Sequence, residues 1–293
     1  MPEVVPTIDT WSRLQAAVHE AKIKAAFEAF RQAGIEPVLF KGWAAARNYP
    51  STMVRQIGDI DLAVSPEQIG SASDLIKTDE VGHLFIDLKG GLSSLDSVGW
   101  DILFERSELV ELQDSQIRIL CPEDHLRVIC NHWLIDGGRF KDKLWDIYYA
   151  VENRPADFQW ERCLGSVPDN RKDWVIIAIG IARHYLDLRV DDLPFMVNSK
   201  PIPPWILKTV EDEWKKGEEL MPILSTTTNK RQFMTQIVRR FPPNPIRATI
   251  EGNGDLFGHM RSWYQVMVLV RRSGPFLKGL FRFMTGKLRK NWH

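Results

Sequence analysis

Apolar positions recur with two different periods along this chain, and the change of period marks its architecture. Over residues 11–33 they fall at three- and four-residue steps: Trp11, Leu14, Val18, Ala21 and Ala25 form one stripe, and Ile23, Phe27 and Phe30 a second. Glu20, Lys24, Glu28 and Arg31 share a polar face, so the spacing predicts a helix covered on two sides. Asp9 or Thr10 can cap its start and Gly34 can close it. Residues 37–40 are short, apolar and bounded by Pro37 and Gly42, which suits a buried strand, and the alanine-rich 43–49 a short helix. Strict alternation follows. Ile60, Leu62 and Val64 lie opposite Asp59, Asp61 and Ala63, and Leu84, Ile86 and Leu88 lie opposite His83, Phe85 and Asp87. Between these two strands Pro66 opens a helix over 67–77. A further strand is expected over 98–105, with Asp101 opposite Val98, Trp100, Ile102 and Phe104, and a weaker one over 116–120.

Beyond Pro122 the period is helical throughout, over 123–135, 143–152, 173–188, 204–217 and 230–240, with prolines punctuating the connections. The expected class is therefore α+β: a mixed sheet flanked by helices in residues 1–120, then a mostly helical part over 121–293.

Composition adds limits. The 293 residues are 44% hydrophobic and 26% charged, the balance of a globular protein that can bury a core. The longest apolar run, Val175 to Ala182, falls well short of the ~18 residues that span a bilayer. The N-terminus has neither the basic start nor the apolar centre of a signal peptide, and Cys121, Cys130 and Cys163 form no Cys-x-x-Cys pair, so the expected location is the cytoplasm. Lys plus Arg and Asp plus Glu are equal at 38 each, but residues 256–293 carry eight bases and no acid. Docking within the fold is the first expectation for this basic segment; contact with an anionic membrane surface or with nucleic acid is possible but not favoured.

The sharpest chemical feature is Asp59-Ile60-Asp61. Residues i and i+2 of a strand point to one face, about 7 Å apart at ~3.3 Å per residue. Two carboxylates on one face repel, and a divalent cation between them relieves the repulsion. Asp87 or Asp101, each expected in a neighbouring strand, can add a third ligand.

The segment from Val38 through Lys41, Gly42, Tyr49 and Arg55 to Gly58-Asp59-Ile60-Asp61-Leu62 resembles the polymerase-β-like nucleotidyltransferase superfamily. It is closest to an uncharacterised bacterial group with a Lys-Gly pair and an Arg four residues before Asp-x-Asp. Asp87-Leu88-Lys89 resembles a diverged copy of that group's later acidic strand. The run 122–126, His132 and Leu144-Trp145-Asp146 continue the likeness to about residue 150. The resemblance implies a nucleoside triphosphate (NTP), probably ATP, and Mg²⁺, with Asp59, Asp61 and Asp87 as metal-binding and catalytic residues. It also implies a phosphate turn at Gly42, Lys41 at the β/γ-phosphates, and Arg55 pairing with phosphate or buffering the acids. The acceptor is an unidentified hydroxyl-bearing small molecule, peptide or protein. A catalytically silent nucleotide- or partner-binding module, or an RNA-directed enzyme, are the alternatives. The superfamily's usual Gly-Ser is replaced by Lys41-Gly42, and Lys89-Gly90 stands where the closer group has His-Trp. His125 and His132 share one helix face, and His132 is expected to be hydrogen-bonded near the site. Of the eleven tryptophans, Trp145, Trp160, Trp174, Trp205, Trp214 and Trp263 in the helical half read as core, and Trp43 beside the phosphate turn is the one singled out for stacking.

Overall fold

Five short strands make one mixed sheet in the computed structural model, which describes residues 10–196, 199–216 and 241–272. The strands are β1 (Val38–Leu39), β2 (Ile60–Val64), β3 (Ile86–Gly90), β4 (Glu108–Leu112) and β5 (Ser115–Ile119), in the order β3-β2-β1-β5-β4. β2 runs antiparallel to β1 and parallel to β3; β5 runs parallel to β1 and antiparallel to β4. The helices are α1 (Thr10–Gln32), α2 (Trp43–Ala46), α3 (Ile69–Leu75), α4 (Trp100–Arg106), α5 (Pro122–Ile135), α6 (Leu144–Glu152), α7 (Asp169–Leu186), α8 (Pro204–Lys216) and α9 (Pro245–Glu251), and 261–272 are also helical. This is the α+β architecture that the change of period implies, with the helices concentrated after the sheet.

The chain divides into two compact units, 1–132 with 142–199, and 133–141 with 200–293. In the first, the alternation of β2 buries Ile60, Leu62 and Val64 in one apolar cluster with Leu39 of β1, Ile117 and Ile119 of β5, and Ile23, Phe27 and Phe30 of α1. α3 lies in the crossover that parallel strands require, carrying the chain from β2 to β3, and contributes Ala72 to the same cluster. A buried Arg127 on α5 pairs with Asp96 and Asp124 at 2.8 and 2.5 Å and donates to the carbonyls of Arg162 and Cys163. In the second unit, Asn244 caps α9 by accepting from the Arg247 N–H and donates to the Gly137 carbonyl, while Arg271 and Arg272 pair with Glu251. Those two bases of the 256–293 run are thus docked within their own unit. The rest of the run from 273 onward, and the helix expected over 230–240, lie outside the described residues.

Two expectations need correction. The 98–105 stretch is not a strand: 100–106 form α4, begun at Gly99, with Leu103 buried and the rings of Trp100 and Phe104 5.8 Å apart. Trp100, Leu103 and Phe104 stand at i, i+3 and i+4, so seven residues satisfied both periods and tertiary packing selected the helix. The strand next to β5 is instead β4, whose exposed, acid-containing sequence carries little alternation signal. Second, α1 is covered on one side only. The Ile23/Phe27/Phe30 strip is buried, but Trp11, Leu14 and Val18 are exposed. No helix among the described residues is long and apolar enough to cross a membrane.

Candidate active site at the acidic sheet edge

Strand register aims the acids. β2 and β3 pair in parallel with Asp61 beside Asp87 and Ile60 beside Ile86, so burying the isoleucines turns both aspartates to the opposite face. Asp59, two residues before Asp61, joins them there. One carboxylate oxygen from each of Asp59, Asp61 and Asp87 lies within 4.8 Å of the others; Asp59 is exposed, Asp87 half-buried and Asp61 buried. Asp101, the rival third acid, is exposed on the first turn of α4 and lies outside this group.

Such a cluster is electrostatically expensive. Two unit charges ~4 Å apart repel by about 4 kcal/mol at an effective dielectric of ~20. The protein supplies partial relief. Lys41 Nζ stands 2.6 Å from Asp61 Oδ1, and Lys89 Nζ 3.5 Å from Asp87. Even so, burial first, opposed by Lys41 and reinforced by Asp59 and Asp87, pushes the Asp61 carboxyl up to about 6. Lys41 also lies 3.1 Å from His132 Nε2, delivered by α5. Burial, and then the Lys41 charge, push His132 down to about 3, so its ring is neutral and can accept from the ammonium. His132 thus takes the hydrogen-bonded place expected for it. The Lys41–Asp61 contact is an ion pair without hydrogen-bond alignment, leaving buried Asp61 Oδ1 with no aligned donor among the described residues. Three hard carboxylate oxygens, one of them without an aligned hydrogen-bond donor, fit a Mg²⁺-like cation.

Gly42 closes the site on the β1 side. Its φ of 61° and ψ of −111° are open to glycine alone, and a Cβ there would meet Asp61 Oδ2 at 3.4 Å. Lys41 and Gly42, expected beside the acids, are therefore beside them. Trp43 is not available for stacking: it is buried, with its indole N–H donated to Glu20 at 3.0 Å.

Arg55 is held differently from a free phosphate ligand. Its Nε and Nη2 donate to the two oxygens of buried Asp146 at 2.6 and 2.7 Å, and the Tyr49 hydroxyl donates to the same carboxylate at 2.8 Å. Burial opposes the Arg55 charge, but Asp146 more than offsets it and holds its pKa above the ordinary value. This fork ties the loop leading into Asp59 to α6. A family model described as an uncharacterised nucleotidyltransferase matches residues 9–83. The matched segment runs from α1 through β2 and includes Lys41, Gly42, Arg55, Asp59 and Asp61, while Asp87 lies just beyond it. The match supports nucleotidyl transfer as the general activity and an NTP as substrate. No curated protein and no solved structure gives a significant match. Sequence reasoning counted Asp146 in the likeness without pairing it with Arg55, and it passed over the cleft beside α1 described below, which carries no local signal.

Proposed function

We propose that this protein transfers a nucleoside monophosphate from an NTP, ATP in the first instance, to a hydroxyl acceptor, releasing pyrophosphate in a Mg²⁺-dependent reaction. The observation that carries the reading is the convergence of three carboxylates beside a Lys-Gly turn, with Asp59, Asp61 and the turn inside a segment matched to nucleotidyltransferases. Asp59 and Asp61 would hold the ion, with Asp87 as a third ligand. When bound, Mg²⁺ neutralises triphosphate oxygens and favours in-line displacement at phosphorus. The acceptor oxygen forms a new bond to the α-phosphorus, the bond from that phosphorus to the bridging oxygen breaks, and the electron pair leaves with pyrophosphate. Asp87, half-buried, receives the hydroxyl proton. Lys41 places its ammonium against the β/γ-phosphates, and Gly42 lets the backbone approach them because it has no side chain in the way. Arg55 is a positioning residue for the Asp59 loop and adds positive field. A reducing cytoplasm is the proposed location, since Cys121, Cys130 and Cys163 are buried free thiols.

Metal titration tests the site. Asp59→Ala and Asp61→Ala should each abolish Mg²⁺-dependent ATP binding, and parent-like binding by both variants would refute the assignment. A second reading, a nucleotide-binding module without turnover, draws on Lys41, which already pairs with Asp61 inside the cluster. Pyrophosphate release across small-molecule, peptide and protein acceptors separates the two: binding without release from any of them favours the module.

A further inference from the structure

We propose that the cleft between the N-terminal half of α1 and the 54–58 loop is the nucleobase subsite of this enzyme. The proposal rests on the nucleotidyl-transfer reading above and deepens it. The cleft has a volume of about 670 Å³, within the range of small-molecule sites, and is lined by Trp11, Val18, His19, Gln56 and Gly58 among others. Gly58, which lines the cleft, immediately precedes Asp59, so the cleft lies beside the loop that carries the first carboxylate. A group tethered to the α-phosphate through a ribose is the part of the substrate that reaches this space first.

Two features of the lining point to an aromatic, hydrogen-bonding occupant, and a third lies next to the cleft. Trp11 is 63% exposed and, with Leu14 and Val18, presents an apolar stripe on a helix whose other strip is fully packed. An exposed indole is a stacking surface for any base. His19 is 92% buried, yet its Nε2 has no hydrogen-bond partner among the described residues and the side chain lines the cleft. A ring nitrogen or exocyclic group of a base would satisfy it, with the Gln56 amide offering a second donor and acceptor. The third feature is Phe85. It is 70% exposed and held at φ 56°, ψ 62°, a left-handed conformation that a bulky residue rarely adopts. Its ring lies 5.8 Å from the ammonium of Lys22, itself a cleft residue, and its carbonyl accepts from the Ile60 N–H beside Asp59. Backbone strain of this kind is retained where the surrounding structure uses it. A lipid or protein surface would need a broader apolar face than this cleft with its polar end at His19, Gln56 and Arg55.

The test compares Mg²⁺-dependent affinities of the full chain for ATP, GTP, CTP, UTP and inorganic tripolyphosphate by calorimetry. The parent should bind at least one NTP tenfold or more tighter than tripolyphosphate. Trp11→Ala, a change at a position 63% exposed and outside the core, should remove about tenfold of that preference and leave tripolyphosphate binding unchanged. His19→Gln should reorder the four bases. Equal binding of all four NTPs and tripolyphosphate by the parent, or unchanged NTP affinity in Trp11→Ala, overturns the base subsite alone and leaves the phosphate–metal reading standing. Absence of any metal-dependent binding, tripolyphosphate included, overturns that reading and the subsite with it.

Discussion

Gly42 offers the cleanest separation of fold from site, because Gly34 provides a matched control. Both have positive φ, 61° and 74°. Gly34 closes α1, and a Cβ added there would meet nothing within 4 Å. Alanine at 34 therefore carries only the left-handed backbone penalty, about 1–2 kcal/mol. For Gly42→Ala the nearest neighbours of the new methyl are Asp61 Oδ2 at 3.4 Å, Ile57 Cγ2 at 3.5 Å and the Asp59 carbonyl at 3.7 Å. These are ordinary contacts, so steric overlap does not decide the loss of stability. The backbone does: ψ of −111° lies outside even the left-handed helical well, and about 1–3 kcal/mol is expected. In a body of 150–250 residues, each kcal/mol lowers the unfolding midpoint by about 2–4 °C. The two variants should thus be destabilised to a similar degree. They should part company in ligand binding. The Gly42→Ala methyl stands against the carboxylate proposed to hold the metal, on the path a phosphate oxygen would take, and Mg²⁺–ATP affinity should fall at least tenfold. Gly34→Ala should bind as the parent does. Thermal unfolding and calorimetric titration of both variants give the comparison; parent-like Mg²⁺–ATP affinity in a folded Gly42→Ala protein would refute the placement of the phosphate turn.

Other consequences follow from buried charge. Arg55→Met leaves the Asp146 carboxylate, 8% exposed, without its cation and should destabilise by about 3–5 kcal/mol, with Arg55→Met/Asp146→Leu recovering part of the loss in a double-mutant cycle. Burial first, then Arg55 and Arg47, depress the His125 ring to about 4. Because the unfolded chain binds that proton more readily, the contribution of His125 is complete above pH ~6.5 and is lost as pH falls toward about 4. At the acid end this amounts to about 3 kcal/mol. His125→Gln should flatten the stability–pH curve by one proton over that window, and curves that stay parallel would count against the buried neutral ring. Asp87→Asn should weaken Mg²⁺–ATP binding while Asp101→Asn leaves it unchanged, measured by the same titration; the reverse order would move the third ligand to α4.

How much of this was visible in the chain can be traced residue by residue. Alternation at Ile60, Leu62 and Val64 put Asp59 and Asp61 on one face, and the same rule at Ile86 and Leu88 oriented Asp87, because a period of two leaves a half-buried strand no other choice. Where two periods fit, as at 98–105, a local pattern could not tell that Leu103 rather than Ile102 would be buried. The Trp11/Leu14/Val18 stripe obeys helical spacing as well as the Ile23/Phe27/Phe30 strip does, yet only one of them meets the sheet. Periodicity reports that a face is apolar, not what covers it. The Lys41–His132 and Arg55–Asp146 contacts each join residues 91 positions apart, so no window along the sequence contains both partners.

The dependence of the acids on the core makes a stronger claim about how this site is built. Sliding β3 by one residue along β2 would set Ile86 beside Asp61 and carry Asp87 into the apolar cluster that holds Ile60, Leu62 and Leu39. An unpaired carboxylate there would lose several kcal/mol of solvation, and the partly buried Ile86 and Leu88 would be turned out to solvent, each forfeiting a share of the about 1.5–3 kcal/mol that full burial is worth. The native register therefore holds by a margin comparable with the whole stability of a domain. Those two penalties arise from the side chains facing away from the chemistry. The convergence of Asp59, Asp61 and Asp87 against their own repulsion is accordingly sustained by hydrophobic burial on the opposite face, with Lys41 and Lys89 reducing what that burial must oppose. Leu88, packed against the core between Asp87 and Lys89, faces away from the carboxylates and yet fixes where one of them points.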